Sequence, residues 1–427
     1  DMNINQLRNS TIYQVFPRNY SKDGTLRALK NDLERIVDLG VDILYLLPVH
    51  PIGEVARKGT AGSPYAIKDY RAINADLGSL ADFEDLVAKA HQKGLKIMMD
   101  IVFNHTSRDS ILLKEHPDWF YIKNGQPGNR VGDWSDVADL NFEVAAVWDY
   151  LIETLIYWVH KGVDAFRCDV APIIPLAFWK KAREEVAKVN SDVFWLSESI
   201  EPEFIKYLRA QGYEAHSDAE MYQAFDILYD YDVYGDLKKY LNMRGTFRSY
   251  VEAVKRQEYL YPDNYLKAHF LENHDQARIA SLVKDQNQLH NLTAWSFFQP
   301  GVGFLYAGQE NALSKAPHLF EYDPLDWEQH DPETYLLIQR MIEFKKSKVF
   351  YEKTSFDLEM YFPNDVLLAT LASKNEKYLG VFNFSGGKAK VLLPLQVKEV
   401  RDEITGDIIP LRKGTIVIES PVIIKIN

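Results

Sequence analysis

The sequence predicts an α/β protein: a (β/α)8 TIM barrel with a short excursion after its third strand and a C-terminal antiparallel β-sandwich domain. Three observations predict it. Apolar, strand-like runs alternate with helix-length amphipathic segments eight times between residues 1 and 348. Four of those runs end in carboxylates or imidazoles: Asp100 to His105, Arg167-Cys168-Asp169, Val193 to Ser197 with Glu198, and Leu266 to Leu271 with Glu272-Asn273-His274-Asp275. In a parallel barrel, functional side chains stand at the C-terminal ends of the strands. Beyond Phe350 the helical pattern stops, and short strand-like runs separated by Gly, Pro and Asp take over.

The first strand is Thr11 to Phe16, β-branched and aromatic. Leu26, Leu29, Leu33, Ile36 and Leu39 recur at helical spacing and predict one helix over 26–39. Val41 to Pro48 is the second strand. Ser79 is the N-cap of a helix over 79–93 that Gly94 closes. Lys96 to His105 forms strand three, and the excursion, 106–141, is rich in Gly, Asp and Asn. A long helix over 143–161 ends at Gly162 and leads into the fourth strand. Helix 175–189 leads to strand five at Val193, and helix 202–211, closed by Gly212, leads to a weaker sixth strand over Glu214 to Glu220. A tyrosine-rich segment, 221–263, follows; its tyrosines are read either as half-buried packing or as stacking platforms for sugar rings. Strand seven (266–275), a helix over 287–298, strand eight (302–309) and a helix over 331–348 close the ring. The expected domains are a catalytic barrel at 1–348, with the insertion 106–141, and an all-β domain at 349–427.

At 427 residues with 46% hydrophobic content the chain can bury one large core and a smaller one. A barrel takes about 250 residues, which leaves room for the extra domain. The net charge of −12 disfavours nucleic acid and anionic membrane surfaces as partners. Oligomeric state is not readable. No apolar run reaches the roughly 18 residues of a membrane span. The one cysteine, Cys168, excludes an intrachain disulfide and fits a reducing compartment, so the expected location is the cytoplasm. The start, Asp1-Met2-Asn3-Ile4, has no basic-then-apolar leader; a leader already removed stays open.

The chemistry centres on Gly162 to Ala171. Side chains two apart on a strand share a face, so Arg167 and Asp169 point the same way, and Cys168 points the other. The cation is expected to hold the carboxylate ionised. A lone pair of this kind is an ordinary structural ion pair; its recurrence at other strand ends is what points to function.

Several stretches resemble the signatures of the α-amylase family of glycoside hydrolases. They are Asp100 to His105, Ala165-Phe166-Arg167-Cys168-Asp169, Leu196-Ser197-Glu198, Phe270 to Asp275 and, more weakly, Val137-Ala138-Asp139-Leu140-Asn141. Gly62-Ser63-Pro64-Tyr65 with Asp69-Tyr70 resembles the family's stretch after strand two. The resemblance implies a retaining enzyme that cuts α-1,4-glucosidic bonds in maltodextrins through a covalent glycosyl intermediate. Asp169 would be the nucleophile, Glu198 the general acid/base and Asp275 the carboxylate that binds and distorts the sugar. His105 and His274 would donate hydrogen bonds to that sugar, Arg167 would support the nucleophile, and Tyr65 would stack on the ring. A glucan transferase or an oligosaccharide-specific α-glucosidase is the alternative within the family.

Departures matter as well. Many starch-degrading members carry Lys-His three and four places after the nucleophile, with the His carbonyl on calcium; here those places hold Pro172 and Ile173. Asn104 and Asp139 remain as calcium candidates, but no cofactor is expected to be required. Two rival classes lie outside these enzymes. In enolase-like barrels such carboxylates bind Mg²⁺, yet Arg167 would repel a cation. Amylase-like ectodomains that accompany transporters tend to lose the carboxylates and carry a membrane span; here all three carboxylates are kept.

Overall fold

The computed structural model describes residues 4–130, 132, 134–263 and 265–426. The first three residues, read above for a leader, and positions 131 and 133 of the excursion lie outside this set. The eight barrel strands are β1 (Thr11–Val15), β2 (Ile43–Leu46), β3 (Lys96–Ile101), β4 (Ala165–Cys168), β5 (Phe194–Ser197), β6 (Ile227–Tyr229), β7 (Lys267–His269) and β8 (Val302–Tyr306). They close in sequence order, with β8 beside β1. Among the described residues no helix is long and apolar enough to cross a membrane.

By internal contacts the chain divides into two compact units, one of Tyr13–Tyr229 with Pro317–Asp326, the other of Asp230–Ala316 and Trp327 onward with the segment up to Ile12. In the first unit, β2 to β6 pair in parallel, and their residues are buried almost throughout. The register sets Asp100 opposite Arg167, and Arg167 opposite Leu196. Two acids and an arginine are thereby brought to one end of adjacent strands. The excursion begins as strand His105–Ser107, which pairs antiparallel with Val137–Asp139 so that His105 faces Asp139.

Local chemistry explains most elements. Ser79 Oγ accepts from the Asp82 N–H (3.1 Å) while the Asp82 carboxylate accepts from the Ser79 N–H (2.9 Å), a capping box that starts helix Leu80–Gln92. Gly94, at φ +85°, supplies the left-handed turn after it. Two expectations fail, each for a local reason. The helix over 26–39 is two helices, Leu26–Asn31 and Leu33–Leu39. Asp32 between them leaves helical geometry, and its carboxylate accepts from Tyr20 Oη and from Arg35 Nε (3.1 Å). The sixth strand is Ile227–Tyr229, not 214–220. There Ser217 and Glu220 form a second capping box and open helix Asp218–Met221 instead.

In the second unit, helices Tyr231–Leu241 and Phe247–Leu260 fill most of the tyrosine-rich segment. Its tyrosines are mainly structural: Tyr250 Oη accepts from Trp295 Nε1 (2.8 Å), and Tyr240 Oη donates to Asp365 (2.7 Å). Strands Ser355–Tyr361, Val366–Ala372, Lys377–Asn383 and Val422–Lys425 form an antiparallel sheet. A second pair, Ala389–Leu392 with Thr415–Ile418, encloses with it an apolar core that includes Leu368, Val381, Val391 and Ile416.

Candidate active site

Arg167 is the hub of a buried cluster at the ends of β3, β4 and β5. Its side chain is 2% exposed. Nη1 donates to Asp100 Oδ1 (3.1 Å) and to Asp169 Oδ1 (2.8 Å), Nη2 lies 3.5 Å from Glu198 Oε2, and Nε donates to Tyr229 Oη (3.4 Å). The rings of Tyr45, Tyr65 and Tyr229 flank the guanidinium at 6.0, 5.8 and 5.7 Å. Asp100 is fully buried and also accepts from Tyr45 Oη (2.6 Å) and Tyr65 Oη (2.8 Å). The same-face expectation for Arg167 and Asp169 is met by that direct contact.

Asp169 and Glu198 converge on the two terminal nitrogens of the same guanidinium. Burial, and next the Glu198 charge, push the Asp169 carboxyl well above the usual range, and Arg167 only partly opposes this. The expectation that Arg167 alone holds Asp169 ionised is therefore corrected. One guanidinium faces three carboxyls. The backbone stores strain at the same spot. Val170, β-branched, sits at φ +39° and ψ +37°, a conformation that costs such a residue on the order of 1–3 kcal/mol. That turn aims its N–H at Glu198 Oε2 (2.7 Å).

Tyr65 joins the same network. Tyr65 is half-buried and bonds Asp100; His105 is buried and accepts at Nδ1 from Asn104 Nδ2 (3.1 Å). Burial lowers the His105 pKa, which keeps the ring neutral. In the second unit, His274 and Asp275 follow β7. His274 Nε2 lies 3.1 Å from Asp275 Oδ2, and the Asp275 side chain is 43% exposed. Sequence reasoning missed Asp100, Tyr45 and Tyr229 as site members. For Asp100 a signal existed, an acid inside the apolar run Met98 to Phe103, and for Tyr229 its place in the tyrosine-rich segment; for Tyr45 none did, because aromatic residues are ordinary in strands.

Residues 12–359 match the family described as alpha amylase, catalytic domain. The chain belongs to the α-amylase family. The crystal structure of an alpha-amylase from Lactobacillus plantarum is 44% identical, with a TM-score of 0.95 over 99% of this chain and 100% of that one. A maltogenic alpha-amylase from Thermotoga neapolitana is 32% identical, with a TM-score of 0.87 over 98% and 99%. An alpha-1,4-glucan:maltose-1-phosphate maltosyltransferase from Methylacidiphilum infernorum is 34% identical over 230 residues, which are 48% of this chain and 34% of that protein. An alpha-amylase from Haloarcula japonica is 27% identical over 314 residues, 70% of this chain and 44% of that protein. The chain thus spans between about a third and less than half of the curated relatives it matches first.

The family resemblance implies calcium against Asn104, Asp139 and the carbonyl at position 173. These residues do not fit it here, because the Arg130 guanidinium lies among them. Nε donates to Asp139 Oδ2 (3.2 Å), Nη2 to Asn104 Oδ1 and Nη1 to the Ile173 carbonyl (3.4 Å). Among the described residues no group of three or more His, Cys, Asp or Glu is placed to hold a metal.

Proposed function

We propose that this α-amylase family member is a retaining glycoside hydrolase that cuts α-1,4-glucosidic bonds in starch-derived maltodextrins. The observation that carries the reading is that one guanidinium gathers both carboxyls, with Arg167 Nη1 2.8 Å from Asp169 Oδ1 and Nη2 3.5 Å from Glu198 Oε2. Inverting enzymes keep their carboxyls about 6.5–9.5 Å apart to seat a water between them, whereas retaining enzymes hold them closer. In this reading Asp169 attacks the anomeric carbon while Glu198 delivers its proton to the departing glycosidic oxygen. A glycosyl ester on Asp169 results. Glu198, now a carboxylate, takes a proton from water, which attacks the same carbon and frees Asp169. Arg167 stabilises the carboxylate that the ester step consumes and restores. Asp275, His274, His105 and Tyr65 bind the sugar at the cleavage position. The catalytic barrel is taken as 1–348 and the β domain as 349–427.

A glucan transferase is the second reading. Pro172 and Ile173 replace the usual acceptor-side Lys-His, which leaves the acceptor, water or sugar, set by other groups. A product time course on maltoheptaose tests both. Shorter maltodextrins alone are expected; products longer than the substrate would replace hydrolysis with transfer, and no reaction would overturn the α-1,4 assignment.

A further inference from the structure

Three chain segments meet at one guanidinium. Asn104 stands just beyond β3, Asp139 ends the strand that returns from the excursion, and Ile173 lies four residues after Asp169. Asn104 and Asp139 are both fully buried. They present an amide oxygen and a carboxylate, and Ile173 presents a peptide carbonyl. That is the oxygen donor set of a hard divalent cation. Arg130 fills it instead. Besides the three side-chain contacts, its backbone N–H donates to Asp139 Oδ2 (2.9 Å), and its side chain is only 19% exposed. A guanidinium suits this task because it is always charged, and its planar fork reaches several acceptors at once.

We propose that Arg130 is a built-in cation that stands in the calcium position, tying the excursion and the turn after Asp169 to the end of β3 so that no metal ion is needed there. The clamp also reaches the site. Asn104 Nδ2 donates to Nδ1 of His105 (3.1 Å), the imidazole assigned to the sugar. Arg130 is therefore a positioning residue, acting through Asn104 and His105. One oxygen of the cage stays free: among the described residues Asp139 Oδ1 finds no hydrogen-bond partner. With the guanidinium removed, both Asp139 oxygens, Asn104 Oδ1 and the Ile173 carbonyl become available to a metal.

The experiment measures melting temperature in chelator and in millimolar calcium for the wild type, Arg130→Ala and Arg130→Lys. Wild type is expected to melt at the same temperature in both. Arg130→Ala is expected to melt several degrees lower in chelator and to recover most of the loss in calcium, a response that loss of packing alone does not produce. Arg130→Lys, which keeps the charge, falls between them and responds less to calcium. A wild-type melting temperature that drops in chelator overturns the proposal, as does an Arg130→Ala variant that melts like wild type in chelator or that calcium does not raise. Should Arg130→Ala fail to fold, calorimetric titration of chelator-treated wild type decides: no calcium binding supports the proposal, and a tight site overturns it. These readouts are of melting and metal binding, so they stand apart from which glycosidic bond is cut.

Discussion

Among the described residues Arg167 and Arg278 are both fully buried with carboxylates, and they do opposite things. Arg278, in the second unit, donates to Glu272 Oε2 (2.6 Å) and to the Ala307 carbonyl (2.8 Å), and the Ile279 N–H donates to Glu272 Oε1 (3.2 Å). Cation and anion are matched one to one within hydrogen-bond reach. Arg167, in the first unit, is set against Asp100, Asp169 and Glu198. Burial raises the pKa of both Glu272 and Asp169, but the next-largest influence differs. For Glu272 it is Arg278, which lowers it; for Asp169 it is Glu198, which raises it further. A structural ion pair balances its charges. A site poised for proton transfer leaves them unbalanced, and the strained Val170 beside it points the same way.

The comparison breaks most visibly at Asp169. Asp169→Asn is expected to lower turnover of maltoheptaose by about 10⁴-fold or more, while the melting temperature holds or rises, because one of two crowded carboxyls is neutralised. Steady-state kinetics and calorimetry on the same preparation check it; wild-type turnover in the variant would sink the nucleophile assignment. The mirror-image change is Glu272→Leu. Removing one partner of a buried pair costs about 3–5 kcal/mol, so this variant should lose stability in urea titration. If it unfolds like wild type, Arg278 is not the balanced pair described.

Much of this contrast was legible in the sequence, and what was missed has physical causes. Strand period and strand-end acids foretold the barrel, since eight alternations of apolar run and helix, four of the runs ending in acids or imidazoles, have few other solutions. Asp169, Glu198, Arg167, Tyr65 and His105 converge as the motif order implied. The sixth strand was misplaced because Glu214 to Glu220 carries a capping box, a local signal that outranks weak alternation. The crowding that raises the Asp169 pKa was not readable, because a two-residue spacing exposes only the neighbour on the same strand. Asp100 and Glu198 arrive from adjacent strands through register, which the linear sequence hides. Arg130 gave no signal at all: an arginine in a Gly- and Asn-rich loop looks solvated, and only the fold brings Asn104, Asp139 and Ile173 around it.

The smallest expected effect is the sharpest test of the imbalance. In the unfolded chain Asp169 titrates near the ordinary value of about 3.9. In the folded protein burial and Glu198 raise it well above that. Between the two values the folded state keeps a proton that the unfolded chain has released, so stability falls as pH rises through the window, and the change is complete above the folded value. Asp169→Asn removes this titration and leaves that of Glu272 common to both proteins. The melting temperature of the variant minus that of the wild type should therefore grow as pH rises from about 4 and then level off. A difference that is flat across that range would mean that Arg167 balances Asp169 after all, as Arg278 balances Glu272. A difference that shrinks would mean that the Asp169 carboxylate is stabilised in the fold and that Arg167 outweighs burial and Glu198.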